Sequence, residues 1–195
     1  MNKKILFNSP DFNEPIPELE QYSTPPDIAL EMIKKVSSSG GLSGKIADLG
    51  CGTGRLAIAA AIAGAEVVGF EIDEKAIEIA KRYSKEHNLE IKWINQAIET
   101  IEDKFDTIIM NPPFGSQRPG ADKIFLEKAM NITKHIWTIH LSETRKFIEK
   151  IVDNNNFEIV ELYEFDYPLK NTMSFHTNDT KVKNAILYHI ASLPK

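Results

Sequence analysis

Asp106-Thr-Ile-Ile-Met-Asn111-Pro112-Pro113-Phe114 joins an apolar run to a polar corner. Residues 107–110 read as a buried strand that must stop at Asn111. Proline lacks an amide donor, has a fixed φ and pushes the residue before it into an extended conformation. Two in succession make a stiff corner. Ligands of an open α/β sheet sit outside the carboxyl ends of its strands, so the corner would present the Asn111 amide, the Pro112 carbonyl and the Phe114 ring to a pocket. Pro-Pro alone is equally compatible with a plain turn. The four residues together suit one chemical task.

Outward from this corner, strands and helices alternate. A strand at 46–49 precedes an alanine-rich helix at 55–63, and a strand at 65–71 precedes a helix at 74–87 capped by Asp73. Strands follow at 91–95 and 106–110, then a helix at 121–133, a strand at 135–141 and a helix capped by Ser142 that runs to 154. This rhythm predicts a doubly wound α/β fold, a mostly parallel sheet with helices on both faces. Only residues 166–180 connect apolar runs at 157–165 and 181–190, so those two strands should form an antiparallel pair at the sheet edge. Upstream, Pro10, Pro15 and Pro17 mark an irregular arm over residues 1–24, after which Thr24 should cap a helix at 25–36. One domain spanning 1–195 is expected.

Composition agrees with a single globular domain: 195 residues, 42% hydrophobic. The lone cysteine, Cys51, permits neither an internal disulfide nor a cysteine-based zinc cluster, and it fits a reducing cytoplasm. The apolar run after Lys3 and Lys4 is too short for a signal peptide and no run is long enough to span a bilayer, so a soluble cytoplasmic protein is expected. A net charge of −5 weighs against nucleic acid as partner. Its distribution softens that objection, because residues 1–111 hold 12 of the 23 basic and 18 of the 28 acidic side chains.

Asp48-Leu49-Gly50-Cys51-Gly52-Thr53-Gly54 follows the first strand and opens a helix, the context in which a glycine cluster serves a nucleotide-like ligand. The glycines permit a tight turn and close ligand approach. Their G-x-G-x-G spacing disfavours a dinucleotide, whose fingerprint places the last glycine one residue later. Glu71 ends the second strand about 20 residues on, where a carboxylate can accept both hydroxyls of a ribose. Cys51 reads as small filler.

With these motifs in place, the chain resembles the Rossmann-fold methyltransferases that use S-adenosylmethionine. Within them it is similar to the methyltransferase-like group that N6-methylates one adenosine of small-subunit ribosomal RNA in eukaryotes, with its archaeal relatives. The resemblance rests on residues 19–24 (Leu-Glu-Gln-Tyr-Ser-Thr), 47–54, 68–73 and 105–115, and more weakly on His140, Thr144, Arg145, Phe175 and His176. It implies cofactor contacts from Gln21, Thr24, Asp48, Gly50, Gly52, Thr53, Gly54 and Glu71. The family usually has an acidic residue after the third strand to hold the cofactor's adenine amine. Ala97 stands there, which passes that contact to Gln96 or to a backbone carbonyl.

The resemblance also implies what Asn111, Pro112, Pro113 and Phe114 do. Two acceptors, the Asn111 oxygen and the Pro112 carbonyl, would turn the lone pair of an exocyclic adenine amine toward the sulfonium methyl while Phe114 stacks on the base. Arg145 and Lys170 are candidate phosphate contacts, and Phe175 and His176 candidate substrate contacts. A small zinc-containing activator protein is an implied partner, with strands at 67–70 or 91–94 as its surface. Similar corners methylate glutamine at N5 or adenine in DNA, and a non-catalytic cofactor-binding ribosome-assembly factor is a further alternative. A DNA enzyme usually needs a recognition domain for which this length leaves no room.

Overall fold

The computed structural model describes residues 2–115, 117–169 and 181–194. Among them the chain forms α1 (Lys3–Phe7), α2 (Pro26–Ser38), β1 (Lys45–Leu49), α3 (Arg55–Ile62), β2 (Glu66–Glu71), α4 (Glu74–Glu86) and β3 (Ile91–Asn95). After these come β4 (Thr107–Met110), α5 (Ala121–Ile132), β5 (His135–Leu141), α6 (Arg145–Asn154), β6 (Phe157–Leu169) and β7 (Lys181–Ser192). The strands form one sheet in the order β3-β2-β1-β4-β5-β7-β6. The first five are parallel, and β7 runs antiparallel to both β5 and β6. The doubly wound sheet with an antiparallel terminal pair is thus as the alternation of motifs predicts.

Period-two alternation divides the strands between two cores. Ile46, Val67 and Ile109 point to one face, where Leu6 and the apolar sides of α2 and α3 cover them. Ala47, Val68, Ile108 and Met110 point to the other, against Leu126 and Met130 of α5 and Ile148 and Val152 of α6. Because both faces are covered, β1, β2, β4 and β5 are buried at every position except the first residues of β1, β2 and β5. Strand order reverses between β1 and β4, which opens the crevice where such folds bind ligands.

Three local expectations change. The arm is not wholly irregular: α1 forms because Leu6 is buried in the core, and the Ile5 carbonyl accepts the Tyr83 hydroxyl at 2.6 Å. Thr24 makes no cap to α2, whose N-cap position is Pro25, and its hydroxyl turns toward Asn111 instead. Ser142 opens a single 3-10 turn ahead of α6 and donates to the Asn184 carbonyl of β7. Asp73 caps α4 as expected, accepting from the Lys75 amide at 3.0 Å. Among the described residues no helix is long and apolar enough to cross a membrane.

Candidate active site

The loop after β1 and the corner after β4 meet at the carboxyl ends of neighbouring strands, and the arm closes over them. One cleft is lined by Gln21, Tyr22, Ser23 and Thr24 of the arm, Asp48 to Thr53 of the loop except Leu49, Glu71, Gln96, Ala97, Asn111 and Pro113. Sequence-predicted residues from five separate segments therefore share a single site. Gly54 sits behind it, where a Cβ would lie 2.4 Å from the Trp93 ring.

Asn111 donates from Nδ2 to Thr24 Oγ1 at 3.0 Å and to Tyr167 Oη at 2.9 Å. Both amide protons are used, so the carboxamide plane is fixed, and its buried Oδ1 has no partner among the described residues. A buried acceptor without a donor is costly in isolation and marks a place for one. Tyr167 comes from β6, far away in sequence, and its isolated tyrosine gave no signal. Burial holds its phenol well above the usual range, so it stays a neutral hydroxyl.

Phe114 occupies a different place from the one expected. Its ring is buried, 5.2 Å from Tyr22 and 5.7 Å edge-on from Tyr167. Tyr22 lines the cleft and Phe114 backs it, because the apolar ring fills the core side of the corner. Pro112 is likewise buried behind Asn111 and Pro113.

At the other end of the cleft Glu71 is already engaged. Its Oε1 accepts the Ile72 and Asp73 amides at 2.9 and 3.0 Å, and Oε2 accepts the Gly52 amide at 2.8 Å. A carboxylate oxygen takes about two donors, so Oε2 retains room for one hydroxyl and Oε1 is filled. Burial raises the Glu71 pKa despite these three donors. Gln21 is also committed, donating to Asp73 at 2.8 Å and accepting from Ile16 at 2.7 Å. Gln96 donates to Thr100. Thr53 donates to the Pro10 carbonyl, which ties the loop to the arm.

The arm is held by Arg55, which sequence reading did not single out. Its buried guanidinium donates to Ser9 Oγ and the Ser9 carbonyl, both at 2.7 Å, to the Thr24 carbonyl at 2.9 Å and to Asp11 at 2.9 Å. Opening α3 immediately after a glycine loop was the available signal. Arg145 is not in the cleft, since Glu149 at 2.8 Å and Glu164 at 3.4 Å on the surface hold it. His140 is buried against Thr138 and burial pushes its pKa down to about 3, so it is a neutral core residue. Burial raises the Cys51 thiol well above its usual range, consistent with filler. Lys170, Phe175 and His176 lie outside the described residues. Of the two strands named as partner surfaces, β2 is paired on both sides and only β3 is an edge.

Residues 26–139 match the family model described as "Methyltransferase small domain". The chain belongs to this family. Among similar proteins is the rRNA N(6)-adenosine-methyltransferase METTL5 of Danio rerio, 37% identical over 85% of this chain and 84% of that one. The Drosophila melanogaster Mettl5 is 33% identical over 87% and 85%. A crystal structure of a candidate RNA methyltransferase from Pyrococcus horikoshii superposes with a TM-score of 0.92 at 32% identity, covering 100% of this chain and 99% of that one.

S-adenosylmethionine, the cofactor of this methyltransferase small domain, suits the residues present. Glu18, Glu20, Asp48, Glu71 and Glu99 line the cleft, with Arg118 the exposed cation among the lining residues. Such a lining favours a sulfonium and an ammonium and disfavours a pyrophosphate. When bound, the cofactor supplies an electrophilic methyl group. Glu71 and the glycine loop would hold its nucleoside part, with Ile72, 56% exposed at the rim, offering apolar contact.

Asp48 carries a pH prediction. Burial pushes its carboxyl up to about 8, against the opposing effect of the Ala57 amide that it accepts at 3.0 Å. A raised carboxyl pKa means the neutral acid stabilises the fold. That contribution is present at low pH and is lost as pH rises from the ordinary carboxylate range through about 8. A cationic ligand favours the ionised form, so binding releases a proton below this value. Calorimetric titration at pH 7 in buffers of different ionisation enthalpy should show proton release, absent in Asp48→Asn, and affinity should level off above about pH 8.

Proposed function

We propose that this protein transfers a methyl group from S-adenosylmethionine to N6 of an adenosine in ribosomal RNA, most specifically that of the small subunit. The observation that carries the reading is the Asn111 carboxamide, pinned through its nitrogen while its oxygen lacks a donor. An adenine amine is a poor nucleophile because its lone pair is delocalised into the ring. A fixed acceptor at one N6 hydrogen favours the pyramidal nitrogen and directs its lone pair at the methyl carbon. As the N–C bond forms and the C–S bond breaks, the departing thioether becomes neutral and N6 becomes acidic. The proton then leaves to solvent without a strong base. Tyr22 gives the cleft an aromatic wall for a base drawn out of its helix or loop.

The similarity to rRNA N(6)-adenosine-methyltransferases over most of both chains supports ribosomal RNA as the substrate class. The lone cysteine supports a reducing cytoplasm as the setting of the activity. A small zinc-containing activator protein is the proposed partner, and β3, an unpaired edge with half-buried Ile91, Trp93 and Ile94, is the surface suited to strand addition. Mapping N6-methyladenosine in ribosomal RNA from cells with and without the gene tests the proposal. One small-subunit adenosine should lose its methyl group and regain it with the wild-type chain. An unchanged map would overturn the substrate assignment.

A further inference from the structure

The turn that ends the arm carries a carboxylate whose role the corner motif does not reveal. We infer that Glu20 is a positioning residue for methyl transfer, its carboxylate strapping the backbone beyond Asn111 so that the corner keeps its aim. This inference rests on the methyl-transfer reading above.

Glu20 Oε2 accepts the Phe114 amide at 2.9 Å, and Oε1 accepts the Gln117 amide at 2.7 Å. The two contacts span 94 and 97 residues of sequence, and the side chain is only 9% exposed. Only a carboxylate offers two equivalent acceptors with this spread, because a carboxamide presents one acceptor and one donor. The backbone is arranged for the strap as well. Glu20 has φ 50°, the left-handed region uncommon for a residue with a side chain, and its amide donates to the Pro17 carbonyl at 2.9 Å. Strain of this kind persists where surrounding contacts hold it in place.

What the strap restrains is the part of the corner most able to swing. Gly115, with φ 77°, directly follows Phe114, and a Cβ there would meet nothing closer than 3.6 Å. The prolines stiffen the corner up to Pro113. Beyond it, the Glu20 carboxylate fixes Phe114, whose ring backs Tyr22 at 5.2 Å. On the neighbouring residue Gln21 bonds Asp73, one turn from the Glu71 carboxylate at the other end of the cleft. Adjacent side chains of the arm thus tie the corner and the nucleoside end of the cleft to one turn.

Glu20→Gln keeps the size of the side chain but sets an amide group against one of the two backbone donors. The expected result is a fall in kcat of about tenfold or more that clearly exceeds any loss of cofactor affinity read by calorimetry. Hydrogen exchange at the Phe114 and Gln117 amides should accelerate, while exchange in β1 and β2 is unchanged. Glu20→Asp, which keeps the charge on a shorter arm, should restore slow exchange at one of the two amides and part of kcat. Unchanged kcat, unchanged exchange at both amides, or a parallel loss of kcat, cofactor affinity and thermal stability would each overturn the inference. Absence of RNA methylation by the wild-type chain would instead overturn the functional reading. The exchange rates and cofactor titration would then still decide whether the strap exists.

Discussion

Asn111→Ala is expected to lower methyl transfer to RNA by roughly 10²–10³-fold while leaving cofactor affinity within about twofold. The variant removes the buried Oδ1, the group proposed to accept from the target amine, and leaves the Glu71 end of the cleft intact. Asn111→Asp separates the contributions within the same side chain. It retains acceptors but reverses both bonds, because the Thr24 and Tyr167 hydroxyls would donate to the carboxylate, and it adds a charge. Tyr167→Phe removes one anchor and keeps the other, and its kcat should fall between wild type and Asn111→Ala. Single-turnover assays with calorimetric cofactor titration make the measurement. Wild-type turnover in Asn111→Ala would remove the basis for the proposed mechanism.

Arg55→Ala should have the largest effect on cofactor binding, though Arg55 is fully occupied by the arm. The substitution leaves the Ser9 and Thr24 carbonyls without the guanidinium donor and removes the ion pair with Asp11. Losing a buried charged donor with several acceptors costs about 3 kcal/mol. Tyr22 to Thr24 line the cleft and Phe12 packs so closely on the glycine loop that a Cβ on Gly52 would lie 2.6 Å from its ring. A loosened arm should therefore raise the cofactor Kd by at least about tenfold as well as lowering Tm. Arg55→Lys should recover only part of both, because one ammonium cannot reproduce a planar fork. A cofactor Kd unchanged in Arg55→Ala would show that the arm contributes stability alone.

The parallel part of the fold was legible because its signals are local. Apolar runs of strand length, the glycine stop at Gly64 and the cap at Asp73 each act within a few residues, and β3 and β5 fall where the sequence places them. The candidate site was legible where one motif follows one strand, as at Asp48–Gly54 and Asn111–Phe114. It was not legible where distant segments complete it. Tyr167 reaches Asn111 across 56 residues and Glu20 reaches Phe114 across 94, and neither is flagged by its own neighbourhood. The Phe114 ring faces the core for a related reason: the corner predicts its direction of travel but not the aromatic partners, Tyr22 and Tyr167, that draw it in. Thr24, a good helix cap in isolation, is diverted by the stronger demand of a buried amide.

The position of β7 bears on the order in which the molecule becomes competent. Among the described residues the hydrogen-bonded ladder reaches β6 only through β7, which follows β1 to β6 along the chain. Tyr167 rides on β6, so the anchor of the reacting carboxamide joins the sheet only through β7, whose ladder with β5 pairs His135 with Ala191. A nascent chain that has folded its glycine loop could hold the methyl donor before it could use it. Alkylating capacity would thus appear only once β7 has docked and carried β6 into place.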